Sequence, residues 1–278
     1  MKINGGRLYQ LFKYAVYLLL TINVFAFLVE EFLAAQLQFP GGVAAGDLIE
    51  AYAATIDTAA WVILLLMFEL ETWVLDERHF TRSVTLVLHS LRAFCYVFIV
   101  YAFYGYVVNV GFVYGTGPLD GVADLCTLAD DGWSYAVDLD EYEAINATNC
   151  DDFSEASAFN RFDTMPAVVD NAGLRDIRFL SWVDVINAGV WLLVLLVLEV
   201  DVRLQEKQRL EGLALYLSTL TKIVLYSTLA LAVVAWIVKG DFVDWWDAFL
   251  WLVAFVFIEM NVFEWRQESH AEAAGDLR

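Results

Sequence analysis

The sequence predicts an all-α integral membrane protein whose six transmembrane helices form three repeated two-helix hairpins, most simply around a pseudo-threefold axis. Three observations lead there. Of 278 residues, 60% are hydrophobic and the mean hydropathy is +0.59, outside the range of a soluble domain. Six apolar stretches are each long enough to cross a bilayer, which takes roughly 20 helical residues. A polar motif then recurs inside every second stretch.

The stretches run over 8–35, 48–75, 83–112, 179–204, 213–238 and 243–265. Their apolar residues do not alternate with polar ones, so helices rather than barrel strands must satisfy the backbone. The first follows Lys2, Arg7 and Lys13 as a signal sequence would. It also carries the internal repeat, which a cleaved leader has no reason to share. The second, fourth and sixth stretches obey one pattern, [D/N]-x3-W-x7-E-x-[E/D/N]. It is met by Asp57, Trp61, Glu69 and Glu71, by Asn187, Trp191, Glu199 and Asp201, and by Asp247, Trp251, Glu259 and Asn261. The odd stretches carry a cation four residues before a tyrosine: Lys13 and Tyr17, Arg92 and Tyr96, Lys222 and Tyr226. Each such pair shares a helix face. The hairpins are therefore 8–75, 83–204 and 213–265, in a single transmembrane domain spanning 1–278. Residues 113–178 form an outer acidic loop inserted in the second hairpin.

Twelve of the sixteen Lys and Arg fall at the N-terminus, in 76–92, in 203–222 or at the C-terminus. The positive-inside rule makes that side cytoplasmic, so both termini are expected inside and 113–178 outside, in a bacterial inner membrane. The net charge of −20 is concentrated outside, with fourteen Asp or Glu against three Arg between 116 and 178. Such a loop either gathers cations at the outer mouth or is simply a solvated acidic surface. Cys126 and Cys150 lie in it, and an oxidising compartment favours a disulfide between them.

In an antiparallel hairpin the start of the odd helix is level with the end of the even one. The Lys13 group therefore faces the Glu69 group, giving each unit a carboxylate, a phenol donor and a snorkelling cation in the inner third of the bilayer. Residues two apart on a helix point about 200° apart, so only one acid of each pair can face the axis. The recurring Glu69, Glu199 and Glu259 are expected inward, with Glu71, Asp201 and Asn261 toward a helix flank. Asp57, Asn187 and Asp247 lie about 18 Å outward as a second polar layer. Trp61, Trp191 and Trp251 between the layers read as a gate or as packing aromatics.

Two functions fit this pattern. Intramembrane acids serve ion pathways, which suggests a cation channel or cation-coupled transporter with an inorganic cation as ligand. The same residues as salt-bridged locks suggest instead a non-catalytic assembly subunit whose outer loop binds another membrane or outer-compartment protein. His79, His89 and His270 offer no paired ligand spacing, and there is no nucleotide loop, nucleophile elbow or basic nucleic-acid patch. Neither enzymatic activity nor a resident cofactor is expected, beyond a cation held by carboxylates such as Mg²⁺, Ca²⁺ or Mn²⁺. Besides lipid and such a cation, no nucleic-acid partner is expected.

Overall fold

The computed structural model describes residues 5–39, 41–70, 81–129, 131–154, 158–206 and 212–257. The chain is mostly helical, with one five-stranded sheet. Helix α1 is Gly5–Gln38, α2 is the single turn Leu48–Ala51, and α3 is Ala53–Glu69. The long α4, Arg82–Tyr114, leads to the sheet; α6, Asn171–Glu206, leaves it; α7 is Leu213–Lys239 and α8 covers 242–257. The short α5, Cys150–Phe153, lies within the sheet segment.

Four of these helices are long and apolar enough to cross a membrane, over Leu8–Gln38, Arg82–Tyr114, Asn171–Gln205 and Leu213–Lys239. Their outward positions carry residues such as Leu11, Val97, Leu196 and Leu231, each more than half exposed. Contiguous apolar surface on that scale belongs against hydrocarbon rather than water.

Packing follows chain order. Helix α1 packs on α3, α3 on α4, α4 on α6 and α6 on α7. Ala232, Val233 and Trp236 of α7 share a core with Ala248 of α8. Helix α8 returns to α1 through Asn23 and Asp247, and through Tyr9 and Phe12 edge-on to Phe257. All six long helices supply the central core, among them Leu20, Trp61, Ile99, Trp191, Leu229 and Trp251.

Local devices set the ends. Tyr52, with φ −138° and ψ 39°, separates α2 from α3, so the expected single helix from 48 is broken there. No side chain next to α3 caps it. Instead the Glu31 carboxylate reaches across from α1 and accepts from Ala54 N at 2.8 Å and Thr55 N at 3.0 Å, the orphan donors of the first turn. Helix α2 lies against Gly105 of α4, where an added Cβ would come 2.7 Å from the Ile49 carbonyl oxygen. Helix α7 ends on Gly240 at φ 87°, whose left-handed conformation lets Gly240 N and Asp241 N both donate to Trp236 O.

Residues 113–178 are not a loop, which corrects the sequence reading. Helix α4 extends to Tyr114 and α6 starts at Asn171, with a folded sheet between them. Its strands are β1 Thr116–Pro118, β2 Ser134–Ala136, β3 Tyr142–Ala144, β4 Phe159–Phe162 and β5 Ala167–Asp170, in the order β1-β4-β5-β2-β3. Only β2 and β5 pair in parallel. Both faces of the sheet are covered. Ala167 and Val169 pack with Val113, Phe162 and Ile177 of one core, while Val168 packs with Leu125, Ile145, Cys150 and Phe159 of another. The second core is tied by the Cys126–Cys150 disulfide, with Cα atoms 4.9 Å apart. The start of α6 is held by Lys239 to Asp176 at 2.6 Å and by Arg178, which donates to Thr116 Oγ1 at 2.9 Å and stacks on Tyr114. Those charges hid the first two turns of the helix from a hydropathy reading.

Candidate functional site: an acidic route closed by tryptophans

Two cavities lie in series beneath the sheet. The outer one, about 50 Å³, is reached by Asp138 and Asp140 from the β2–β3 connection, and by Asp241 and Asp244 at the start of α8. Glu31, Glu50 and Asp184 complete its acids. The inner one, about 40 Å³, is lined by Asp57, Asn187 and Asp247, with Asp244, Phe27 and Tyr106 common to both. Among the described residues, nine carboxylates line the two cavities and no Lys, Arg or His does. Unpaired carboxylates in a confined space must hold protons or attract cations.

The expected upper layer therefore comes together around one cavity, although its members come from three helices far apart in sequence. Asp247 is buried, and its Oδ1 accepts from Asn23 Nδ2 at 2.8 Å. Asn187 has its Oδ1 buried with no donor in reach. Outside the membrane-spanning segments, burial raises the Asp138 carboxyl to about 7, with Asp241 and Asp140 adding to the effect. Asp140 is raised to about 6, again chiefly by burial and then by Asp241. Asp241 is itself raised by burial, against the opposing bonds from Asp244.

The tryptophans form the floor of the inner cavity. Trp61 has its ring centroid 6.1 Å from both Trp191 and Trp251, and Phe255 sits 4.5 Å from Trp191. Below them Val62, Leu65, Val194 and Ala254 continue the buried apolar core, which Tyr17 and Cys95 also enter. From Trp61 to Glu69 this segment measures about 12 Å along α3.

The lower layer is a set of ion pairs. Lys13, 1% exposed, places Nζ 2.6 Å from Glu69 Oε1. Tyr14 Oη donates to the same oxygen at 3.3 Å and Tyr17 Oη to Oε2 at 3.5 Å. In the next pair the partners change. Lys222 Nζ lies 3.0 Å from Asp201 Oδ2, to which Ser218 Oγ also donates at 2.6 Å. This joins α7 to α6. Glu199 points outward and takes both donors of Arg203, one turn away on its own helix. Of the glutamates expected to face inward, Glu69 is buried and Glu199 is exposed, because α7 presents Lys222 to Asp201 of α6 instead. Arg92 and Tyr96 on α4 and Tyr226 on α7 are half-buried at the same level. Glu71, Glu259 and Asn261 lie outside the described residues.

Several site residues were missed by sequence reasoning, chiefly Glu31, Asp184 and Asp244. A signal existed for two of them: Asp184 and Asp244 each precede the Asn187 or Asp247 position by three residues. The first unit has Ala54 there, and Glu31 reaches its backbone from α1. Trp236, Tyr106 and Asn23 carried no comparable pattern. Cys126, Cys150 and Asp151 cluster tightly enough for a metal, but the disulfide consumes both thiols. No protein-family model, curated protein or solved structure matches the chain.

Proposed function

We propose that this membrane protein takes inorganic cations from its sheet-bearing side and passes them through a bundle of three repeated hairpins, as a channel or cation-coupled transporter. The observation that carries the reading is the run of nine carboxylates without a base, leading from the sheet to the tryptophan floor. Lys and Arg counts set the sheet outside and the termini in the cytoplasm. Support for the repeat comes from burial. The positions three and seven residues after the odd-helix cation are buried in all three units, as Val16 and Leu20, Cys95 and Ile99, and Leu225 and Leu229. Trp61, Trp191 and Trp251 are likewise buried alike, at 7%, 7% and 6% exposure.

In this reading the three layers divide the work. The carboxylates concentrate and desolvate cations, the tryptophans and the apolar segment below them close the route, and the lower ion pairs hold the helix ends together. Sided flux into proteoliposomes tests it. The protein should carry a cation that an Asp57→Asn, Asp247→Asn variant carries at least about tenfold more slowly. Equal flux in the two proteins, or none in either for any inorganic cation, overturns the proposal.

One observation favours the other reading, an assembly subunit. Lys13–Glu69 and Lys222–Asp201 are paired as locks rather than open ligands. Purification from native membranes with a stoichiometric partner on the sheet, together with absent flux, would select it.

A further inference from the structure

The two cavities differ in what they can hold. The outer one is dominated by carboxylates, with Gln38, Tyr106 and Asn109 beside them, whereas the inner one has an acceptor and a donor that the fold leaves unused. Asn187 Oδ1 is buried without a donor. Trp236 lines the same cavity, is 2% exposed, and its Nε1 hydrogen has no acceptor. Asp184 is its neighbour but lacks the alignment of a hydrogen bond. Each unused group would cost free energy if it stayed so, and both lie deep in the fold, beyond ready exchange with solvent.

A bare cation would satisfy Asn187 and leave the indole unpaired, while water alone would require the carboxylates to hold protons. A cation that keeps some of its water satisfies all of them. Its charge lies near Asp57, Asp247 and the Asn187 oxygen, and one of its waters accepts from Trp236 Nε1. The size agrees: at about 10–15 Å³ per water-sized body, the cavity of about 40 Å³ holds roughly three and admits no organic cation. Asp57 and Asp247, with Asp244 also lining the cavity and no base among the described lining residues, favour a divalent over a monovalent charge, and an all-oxygen set suits a hard ion. Among the described residues no three carboxylates here bring oxygens within 4.8 Å of one another, so a full protein cage of the Ca²⁺ kind is absent. Mg²⁺ and Mn²⁺, which part with water reluctantly, need no such cage. Asn23 donates to Oδ1 of Asp247, and the Trp251 indole lies beside the same carboxyl group.

We propose that the inner cavity binds one partly hydrated divalent cation of the Mg²⁺ class, held by Asp57, Asp247 and Asn187 Oδ1, with Trp236 Nε1 donating to a retained water. The proposal deepens the cation reading above and rests on it for biological meaning, but it is tested by binding alone.

Mn²⁺ is the probe, followed by electron paramagnetic resonance on the full chain in detergent. The expected result is one Mn²⁺ per chain, displaced by Mg²⁺, with exchangeable water protons coupled to the bound ion. Asp57→Asn with Asp247→Asn should weaken binding by at least about a hundredfold, since ligand charge sets affinity in such sites. Trp236→Phe keeps the packing and removes the donor, and should weaken binding by about tenfold and alter the water-proton couplings. Asn187→Asp should tighten binding, which keeps the test decisive if the double variant does not fold. Unchanged affinity in Trp236→Phe and Asn187→Asp, or loss of binding only in an Asp138→Asn, Asp140→Asn variant, overturns the site. Flux that is lost in the Asp57→Asn, Asp247→Asn variant while Mn²⁺ still binds to it unchanged rejects this site and leaves cation passage standing. Mn²⁺ binding without flux of any cation does the reverse.

Discussion

A buried lysine touching a buried glutamate says little about stability until one partner is removed. Lys13 and Glu69 are 1% and 6% exposed, and two phenols add hydrogen bonds to the carboxylate. Replacing both by apolar residues of similar size would cost little, because desolvation offsets much of the attraction. Removing one deprives a buried charge of its close opposite partner. Glu69→Leu alone is therefore expected to destabilise the protein by about 3–5 kcal/mol, and Lys13→Met with Glu69→Leu to recover most of that loss. Reversible unfolding in detergent measures both, and additive losses in the double variant would contradict the lock. The sequence showed that these two residues face each other, since a hairpin fixes their level in the membrane. It left open which acid each cation takes. Lys13 takes the first acid of its pair and Lys222 the second, and the choice depends on how far each helix is rotated about its axis.

At the scale of elements, the sequence marked a helix at each of six apolar stretches, four of them long and apolar enough in the structure to cross a membrane, and it did not mark the sheet. Hydropathy marks a helix through about 20 residues of consistent signal. Strands of three or four residues carry too few alternations to register against an acidic background. Val168 packs to one side of β5 and Ala167 and Val169 to the other, but a run of two valines bounded by Ala and Asp reads equally well as a turn or a helix start. The cysteines were the better clue. A disulfide 24 residues apart in sequence removes about 3.5 kcal/mol of chain entropy from the unfolded segment. Cys126→Ser with Cys150→Ser is expected to lower the stability of the sheet by about that amount and to leave the helices intact. Limited proteolysis should then cut within 119–158 while circular dichroism keeps the helical signal. Equal protease resistance of variant and parent would remove the disulfide as a stabilising element.

Over the whole molecule, the acids of the sheet and of the α7–α8 turn face one space, and their protonation should govern what enters it. Asp138 and Asp140 are raised by burial to about 7 and about 6, above their value of about 4 in an unfolded chain, and Asp241 lies beside both. Between about pH 4 and pH 7 the folded chain therefore holds more protons than the unfolded one, and stability falls as pH rises through that window. A cation competes with those protons, so its affinity should rise over the same range. Thermal melting with a chelator is expected to be higher at pH 5 than at pH 8, and added Mg²⁺ should restore the loss at pH 8 only. A melting temperature that rises with pH in the chelator would overturn this account of the outer cavity. By itself the sequence determined the membrane class, the apolar stretches, the common level of Lys13 and Glu69 and the pairing of Cys126 with Cys150, because all of these follow from periodicity and counting. Only the tertiary structure decided which acid each cation neutralises, that Asp57, Asn187 and Asp247 meet at one cavity above three touching tryptophans, and that the acidic insertion folds as a sheet over its mouth. Those outcomes depend on helix rotation and on contacts between residues tens to hundreds of positions apart, which no local pattern encodes.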